Sequence, residues 1–552
     1  MSATPIIGKQ VVGKRSIALP RPTVTQRGYN PISWNLSSYF LLILALLVGA
    51  LMLLTPVYLL IRTVGAGQAA VDMLLRPSTV HTLGRTIWLA TTVTLASTVL
   101  AVPLAWLTSC TDLPGKRFWT VMAALPLVLP SYVGAYLFVS IMGPRGITQQ
   151  LLQPLTGIER FPSVYGFWGA FFVLTLMSYP YIFLTVRAAF KRLDPSMIEA
   201  ARSLGQTPWQ AFWHVTLPHL RPSIWAGALL VSLYVLRDFG AVTMLRYDTF
   251  TRIIYIQYGS FTSRSLAAAM ALVLIALTAV ILFMEMRTRG KATYARQSIG
   301  SARQAKPVAL GRWRWPALTF ISGIVMIALI MPATGLIYWL VRGLANSQVS
   351  VALWQTSWNS LTVSLIASVV AIAAALPVAI LSVRKPSRLS HLLERLTYTG
   401  FALPGIVIAL ALVFFGANYT PSLYQTLPML IVAYVVLFVP QAVGSTRSSL
   451  LQVPISLEEA GRSLGHSPFT VFRRITFPLL SPGMAAGMAL VFLTCMKELP
   501  ATLILSPWGY RTLATSVWGN ISEAFFAQAA APALMLILLS SIPMAFLTLR
   551  EK

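Results

Sequence analysis

Residues 203–222 read SLGQTPWQAFWHVTLPHLRP, and residues 463–482 read SLGHSPFTVFRRITFPLLSP. Laid over one another without a gap, 260 residues apart, they share Ser203, Leu204, Gly205, Pro208, Phe212, Thr216, Pro218 and Pro222 as identical residues. Nearer the start of each half, Pro103 matches Pro377 and Pro130 matches Pro404 at a spacing of 274. The difference between the two spacings fits a longer loop in the first half, between Gly143 and Tyr165. The chain therefore carries one module twice.

Composition says what kind of module it is. Apolar residues fill 56% of the 552 positions and charged residues only 10%, against about 25% charged in soluble chains. The shortage of charge runs along the whole sequence, which calls for many membrane spans rather than one anchor. A span needs roughly 20 mostly apolar residues. Twelve such segments begin near Tyr39, Ile87, Phe118, Gly166, Ile224, Ser265, Trp315, Leu361, Leu396, Leu427, Gly483 and Gln528. In lipid the backbone must satisfy its own hydrogen bonds, so these are helices. The expected fold is an all-α integral membrane protein of about twelve transmembrane helices, arranged as two six-helix repeats. An even number of spans per repeat makes the repeats parallel, related by an axis along the membrane normal.

The formal net charge of +28 would point to nucleic acid in a soluble chain. Here most of the Lys and Arg fall in alternate loops, which fixes topology instead. Both termini are then expected in the cytoplasm and no nucleic-acid partner is expected. The domain plan is a polar, basic tail at 1–38, a first module at 39–290, a basic linker at 291–314 and a second module at 315–552. Cys110 and Cys495 are far apart and the five histidines are scattered. No CxxC or other ligand spacing occurs, so neither a disulfide, a metal site nor a cofactor is expected.

The repeated stretch begins S-x-x-E in both halves, Ser196 with Glu199 and Ser456 with Glu459. That reads as a capping box opening a helix. Gly205 and Gly465 are placed to end it in the left-handed conformation. Thr207-Pro208 and Ser467-Pro468 then read as a cap and a first-position proline of a second short helix, expected to end at Pro218 and Pro478. Each half thus presents a helix–Gly–helix elbow between its fourth and fifth spans.

Farther on, Arg237-Asp238 and Lys497-Glu498 occupy matching places inside the fifth and eleventh spans, roughly 20 Å from the cytoplasmic end. Charges at that depth face a bundle interior or a water-filled cavity. Neighbours on one helix do not face each other. The expected pairs therefore cross the two-fold axis, Arg237 with Glu498 and Lys497 with Asp238, as a gate or as a register device.

The elbow residues Glu199, Ala200, Ala201, Gly205, Val215, Leu217 and Pro218, and Glu459, Ala460, Gly461, Gly465, Ile475, Phe477 and Pro478, resemble the pattern E-A-A-x3-G-x9-I-x-L-P. That pattern marks the permease subunits of binding-protein-dependent ATP-binding-cassette (ABC) importers. The departures are Val215, Gly461 and Phe477. The resemblance implies the type I ABC importer permease fold in a bacterial inner membrane. It also implies coupling loops at Glu199–Gly205 and Glu459–Gly465, two ATPase subunits and a solute-binding protein as partners. The chain has no G-x-x-x-x-G-K-[ST] loop, so ATP hydrolysis is expected on those partners and not here. The runs 236–255 and 496–518 look like fused permeases of ferric iron importers, which implies Fe(III) as cargo. Thiamine, phosphonate or another small solute is the alternative, and an ion-coupled secondary transporter is a more distant one.

Overall fold

The computed structural model describes residues 36–144, 146–157, 162–259, 264–288, 307–348 and 352–550. Most of the tail expected at 1–38 and of the linker expected at 291–314 lies outside the described residues. The first module is carried by α1 (Leu36–Gly65), α2 (Pro77–Cys110), α3 (Ser131–Met142), α4 (Phe167–Arg192), α5 (Pro195–Ser203), α6 (Leu217–Arg237) and α7 (Arg264–Thr288). The second is carried by α8 (Gly311–Ala345), α9 (Leu353–Arg384), α10 (Gly405–Tyr419), α11 (Leu427–Gln452), α12 (Ile455–Ser463), α13 (Phe477–Met496) and α14 (Phe526–Arg550). Among the described residues the one departure from helix and loop is an isolated bridge between Thr111 and Val308.

Among the described residues ten helices are long and apolar enough to cross a bilayer, and two sharply bent pairs raise the number to twelve when each pair counts as one span. The bends, 98° between Lys116–Val128 and the α3 segment and 107° between Arg388–Phe401 and α10, fall at Pro130 and Pro404. Both prolines are extended, with ψ of 143° and 146°. Their missing N–H and ring bulk stop the incoming helix. Their carbonyls start the outgoing one, accepting from Val133 and Gly134 in the first module and from Val407 and Ile408 in the second. Pro103 and Pro377 instead stay inside α2 and α9.

In each module three helices make the packed centre: α2, α4 and α6 in the first, α9, α11 and α13 in the second. Small residues allow the approach, as they do in membrane bundles generally. A Cβ on Gly227 of α6 would lie 2.8 Å from the Cα of Ile182. The equivalent Gly487 of α13 presses on Ser445. Large apolar side chains such as Leu46, Leu47, Trp88, Leu95 and Val99 are turned outward, where lipid is their solvent.

The first helix of each module crosses to the other. α1 packs against α9 and α10, and α8 packs against Lys116–Ala124 and α3. Tyr58 takes a 3.4 Å hydrogen bond from Asn418, and Arg62 lies 5.2 Å over the Phe414 ring. Gly335 of α8 sits directly on Ile141. This exchange interlocks the two modules.

Candidate functional site

Two sites follow from the repeat: the elbows at α5 and α12, and the charged breaks at the ends of α6 and α13.

The elbows end as the glycines predict. Gly205 and Gly465 have φ of +86° and +83°, a conformation costly for any residue with a Cβ. In the first, Gly205 N–H donates to Arg202 O (3.0 Å) and Gln206 N–H to Ala201 O (3.2 Å). In the second, Gly465 N–H donates to Arg462 O (2.9 Å) and His466 N–H to Gly461 O (3.3 Å). This paired closure is the Schellman arrangement. Thr207 and Gln210 then cap one another reciprocally, and the Ser467 hydroxyl accepts from Thr470 N–H.

Two local expectations are corrected. Ser196 and Ser456 do not open the elbow helices. In α5 the cap is Asp194, which accepts the Ser196 N–H at 3.0 Å, with Pro195 at the first helical position. α12 follows Pro454 with no side-chain cap. The prolines move each boundary upstream, so both serines lie within the first turn. Nor does the second helix stop at Pro218 or Pro478. Pro208–Ala211 and Pro468–Val471 run through π-turns, Phe212–Thr216 and Phe472–Thr476, straight into α6 and α13. The wider turn just ahead of each proline absorbs the hydrogen bond it cannot donate.

Gly461, which is a poorer helix former than the alanine of the pattern, has a packing reason. A Cβ there would meet Ile475 at 2.9 Å and Val471 at 3.1 Å, so glycine lets the two legs of the second elbow close. Ala201 is buried at the same place in the first. Glu199, Ala200, Glu459 and Ala460 face outward. Leu204 and Leu464 at the tips are 84% and 78% exposed, beside exposed Trp209 and Phe469. Four large apolar groups are thus exposed at equivalent places, as at surfaces that mark interaction sites.

The charges sit at helix breaks rather than in mid-span. α6 ends at Arg237, and a short helix Gly240–Met244 follows; α13 ends at Met496, and Pro500–Leu505 follows. Asp238 Oδ1 accepts the N–H groups of Ala241 (3.0 Å) and Val242 (3.2 Å). Glu498 Oε1 accepts that of Ala501 (3.3 Å). Thr251 donates to the Asp238 carbonyl and Thr502 to the Glu498 carbonyl, each at 2.6 Å. A Cβ on Gly405 would collide with Glu498 Oε1, so that carboxylate lies against the N-terminus of α10, where the helix dipole favours an anion.

In this conformation the expected cross-pairs are not closed. Among the described residues no ion pair within 4.0 Å joins Arg237 to Glu498 or Lys497 to Asp238. Arg237 and Glu498 interact electrostatically across a gap. Lys497 Nζ donates instead to the carbonyl of Leu127 in the first module, at 3.1 Å. The sequence held a signal for the second break: Pro500 lies two residues beyond Glu498, at the first position of the helix that follows.

The family model for a binding-protein-dependent transport system inner membrane component matches the chain twice, at residues 113–286 and 369–552. Each match holds one bent span, one elbow and one charged break, and leaves out the crossing helix of its module. The chain is 36% identical to the Fe(3+)-transport system permease protein FbpB 2 of Haemophilus influenzae, over 92% of its own length and 97% of that protein's. It is 24% identical to the ferric transport system permease protein FbpB of Actinobacillus pleuropneumoniae, over 83% of its length and 69% of that protein's. It is also 35% identical to the molybdenum transport system permease protein ModB of Escherichia coli, over 25% of its length and 58% of that protein's.

Proposed function

The chain belongs to the family of binding-protein-dependent ABC transport system inner membrane components, and from that premise we propose that it forms the pathway for ferric iron released by a solute-binding protein. Transport is driven by two separate ATPase subunits, one beneath each elbow. The cargo reading draws on the Haemophilus relative, whose name specifies Fe(3+) and whose likeness runs nearly end to end. The molybdenum relative covers a quarter of the chain and supports an oxyanion less well.

The observation that carries the proposal is the pair of elbows. Each ends in the same left-handed glycine, and each holds a leucine and an aromatic ring outward. Glu199–Gly205 and Glu459–Gly465 are the coupling segments. They face the cytoplasm with both termini, in keeping with the Lys and Arg clustered around them. Residues 39–290 and 315–552 are the two modules, and the residues between them form the linker. Arg237, Asp238, Lys497 and Glu498 form the intramembrane latch. Lys497 supports that role, since its bond to Leu127 O spans the modules and must break when they part.

The test is stoichiometry. Leu204→Asp and Leu464→Asp each place a charge on one docking tip, so each releases one ATPase subunit on co-purification and the double variant releases both, with loss of Fe3+ uptake. A double variant that keeps two ATPase subunits would refute the reading of the elbows.

A further inference from the structure

The two elbows are not wired alike. Arg384 stands in the last turn of α9 and Glu458 in the first turn of α12. Arg384 Nε donates to Glu458 Oε1 at 3.0 Å, Nη2 lies 2.9 Å from the same oxygen, and Nη2 donates to the carbonyl of Val453 at 2.9 Å. Val453 caps the end of α11. One guanidinium thus ties three elements: the eighth span, the tenth span and the second elbow. Its side chain is 13% exposed and that of Glu458 10%, so water screens the pair poorly. Each charge also complements the helix end that carries it, a cation at a C-terminus and an anion at an N-terminus.

The repeat puts Cys110 at the place of Arg384 and Ile198 at the place of Glu458. Neither carries a charge, and among the described residues no ion pair joins α2 to α5. The end of α2 is committed elsewhere. Val308 N–H donates to Cys110 O (2.8 Å), Asp112 N–H donates to Val308 O (3.1 Å), and Leu310 N–H donates to the Asp112 carboxylate (2.9 Å). Arg314 lies 3.7 Å from that carboxylate. The second span is therefore stitched to the approach of α8, where the eighth is stitched to its own elbow.

We propose that Arg384 and Glu458 are positioning residues that lock the second elbow to α9, so that it moves as a rigid lever with its span while the first elbow works through a looser joint. The inference rests on the elbows being the ATPase docking points. Two equal motor subunits would then drive unequal responses in the two modules.

The test uses the full chain in lipid nanodiscs and its complex with the ATPase subunits. Amide exchange over 455–463 is expected to be about tenfold or more slower than over 195–203, as a tied segment opens less often. R384C/E458I, which installs the first-module residues and leaves no buried charge unpaired, brings the two elbows to similar rates. In proteoliposomes with Fe3+-loaded binding protein, the same variant moves several-fold less Fe3+ per ATP hydrolysed while ATPase subunits still co-purify. Equal exchange at the two elbows of the unaltered chain overturns the proposal. So does a faster-exchanging R384C/E458I variant with an unchanged Fe3+ to ATP ratio, which would make the pair a structural tie alone. Docking is read separately by the Leu464→Asp co-purification, so failure there marks the underlying reading and not this one.

Discussion

Gly227 and Gly487 occupy one place in the two modules and face different obstacles, which makes their replacement by alanine a controlled comparison. On its own helix each alanine is favourable by about 0.8–1 kcal/mol. Against that stands overpacking, typically about 1–3 kcal/mol. At Gly227 the new methyl meets the Cα of Ile182 at 2.8 Å and the Thr185 hydroxyl at 2.6 Å. Backbone cannot turn aside, so α4 and α6 must separate, and the cost falls at the upper end. Gly227→Ala is therefore expected to lose about 1–2 kcal/mol net, and Thr185→Ala does not restore it. At Gly487 the methyl lands on the Ser445 hydroxyl and lies 2.9 Å from its Cβ. The obstacle is a side chain whose own bond, to Ala442 O, is local. Ser445→Ala removes the nearer hydroxyl but keeps the Cβ, so it should recover part of the loss from Gly487→Ala, with a coupling energy of at least about 0.5 kcal/mol. Unfolding by sodium dodecyl sulfate in mixed micelles, followed by circular dichroism, measures the original chain, the single variants and the two doubles. If Gly227→Ala is as stable as the original, or Ser445→Ala shows no coupling to Gly487→Ala, the close approach of these helices is not what the structure says it is.

Two further outcomes follow from the sites. Gly205→Ala and Gly465→Ala meet no neighbour within 4 Å, so each pays only for a left-handed residue, about 1–2 kcal/mol; local amide exchange at that elbow should rise about 5- to 30-fold, and asparagine, which tolerates the conformation, should restore most of it. Glu498→Gln keeps an oxygen for the Ala501 N–H and should stay folded, whereas Glu498→Leu removes that acceptor. The leucine variant should lose about 1–3 kcal/mol in the same detergent titration.

The elbows were legible because their grammar is local. A glycine that must be left-handed, a threonine or serine before proline, and the repetition of both need no knowledge of the rest of the molecule. The same holds for the span count, which depends on length and apolarity alone. What failed was decided by competition between neighbours. Ser196 had the right spacing from Glu199, but Asp194 and Pro195 stood two and one places ahead and took the cap. Pro218 looked like a terminator, and a π-turn carried the helix through it. The crossing of α1 and α8 between modules left no trace in the periodicity, because a helix facing lipid and a helix facing another module are both apolar all round. Arg384 was silent for a related reason: its partner lies 74 residues on, and a single arginine at the end of a span reads as a topology signal.

The two modules share what the backbone must do and differ in what side chains tie together. The extended prolines at 130 and 404, the left-handed glycines at 205 and 465, and a carboxylate capping the helix restart at 238 and 498 are all kept. Each sets the direction of the chain, and a two-fold arrangement needs both copies to turn the same way. A buried carboxylate is tolerable at such a turn because the restarting helix offers it N–H groups that have no other partner. The basic neighbour has no such fixed duty. Arg237 faces Glu498 of the other module across a gap, while Lys497 bonds Leu127 O and not Asp238; Arg384 ties an elbow where Cys110 ties the approach to α8. Geometry is thus held common by residues that act on their own backbone, and asymmetry enters through long cationic side chains, which can choose a distant carbonyl or carboxylate without altering the path of the chain.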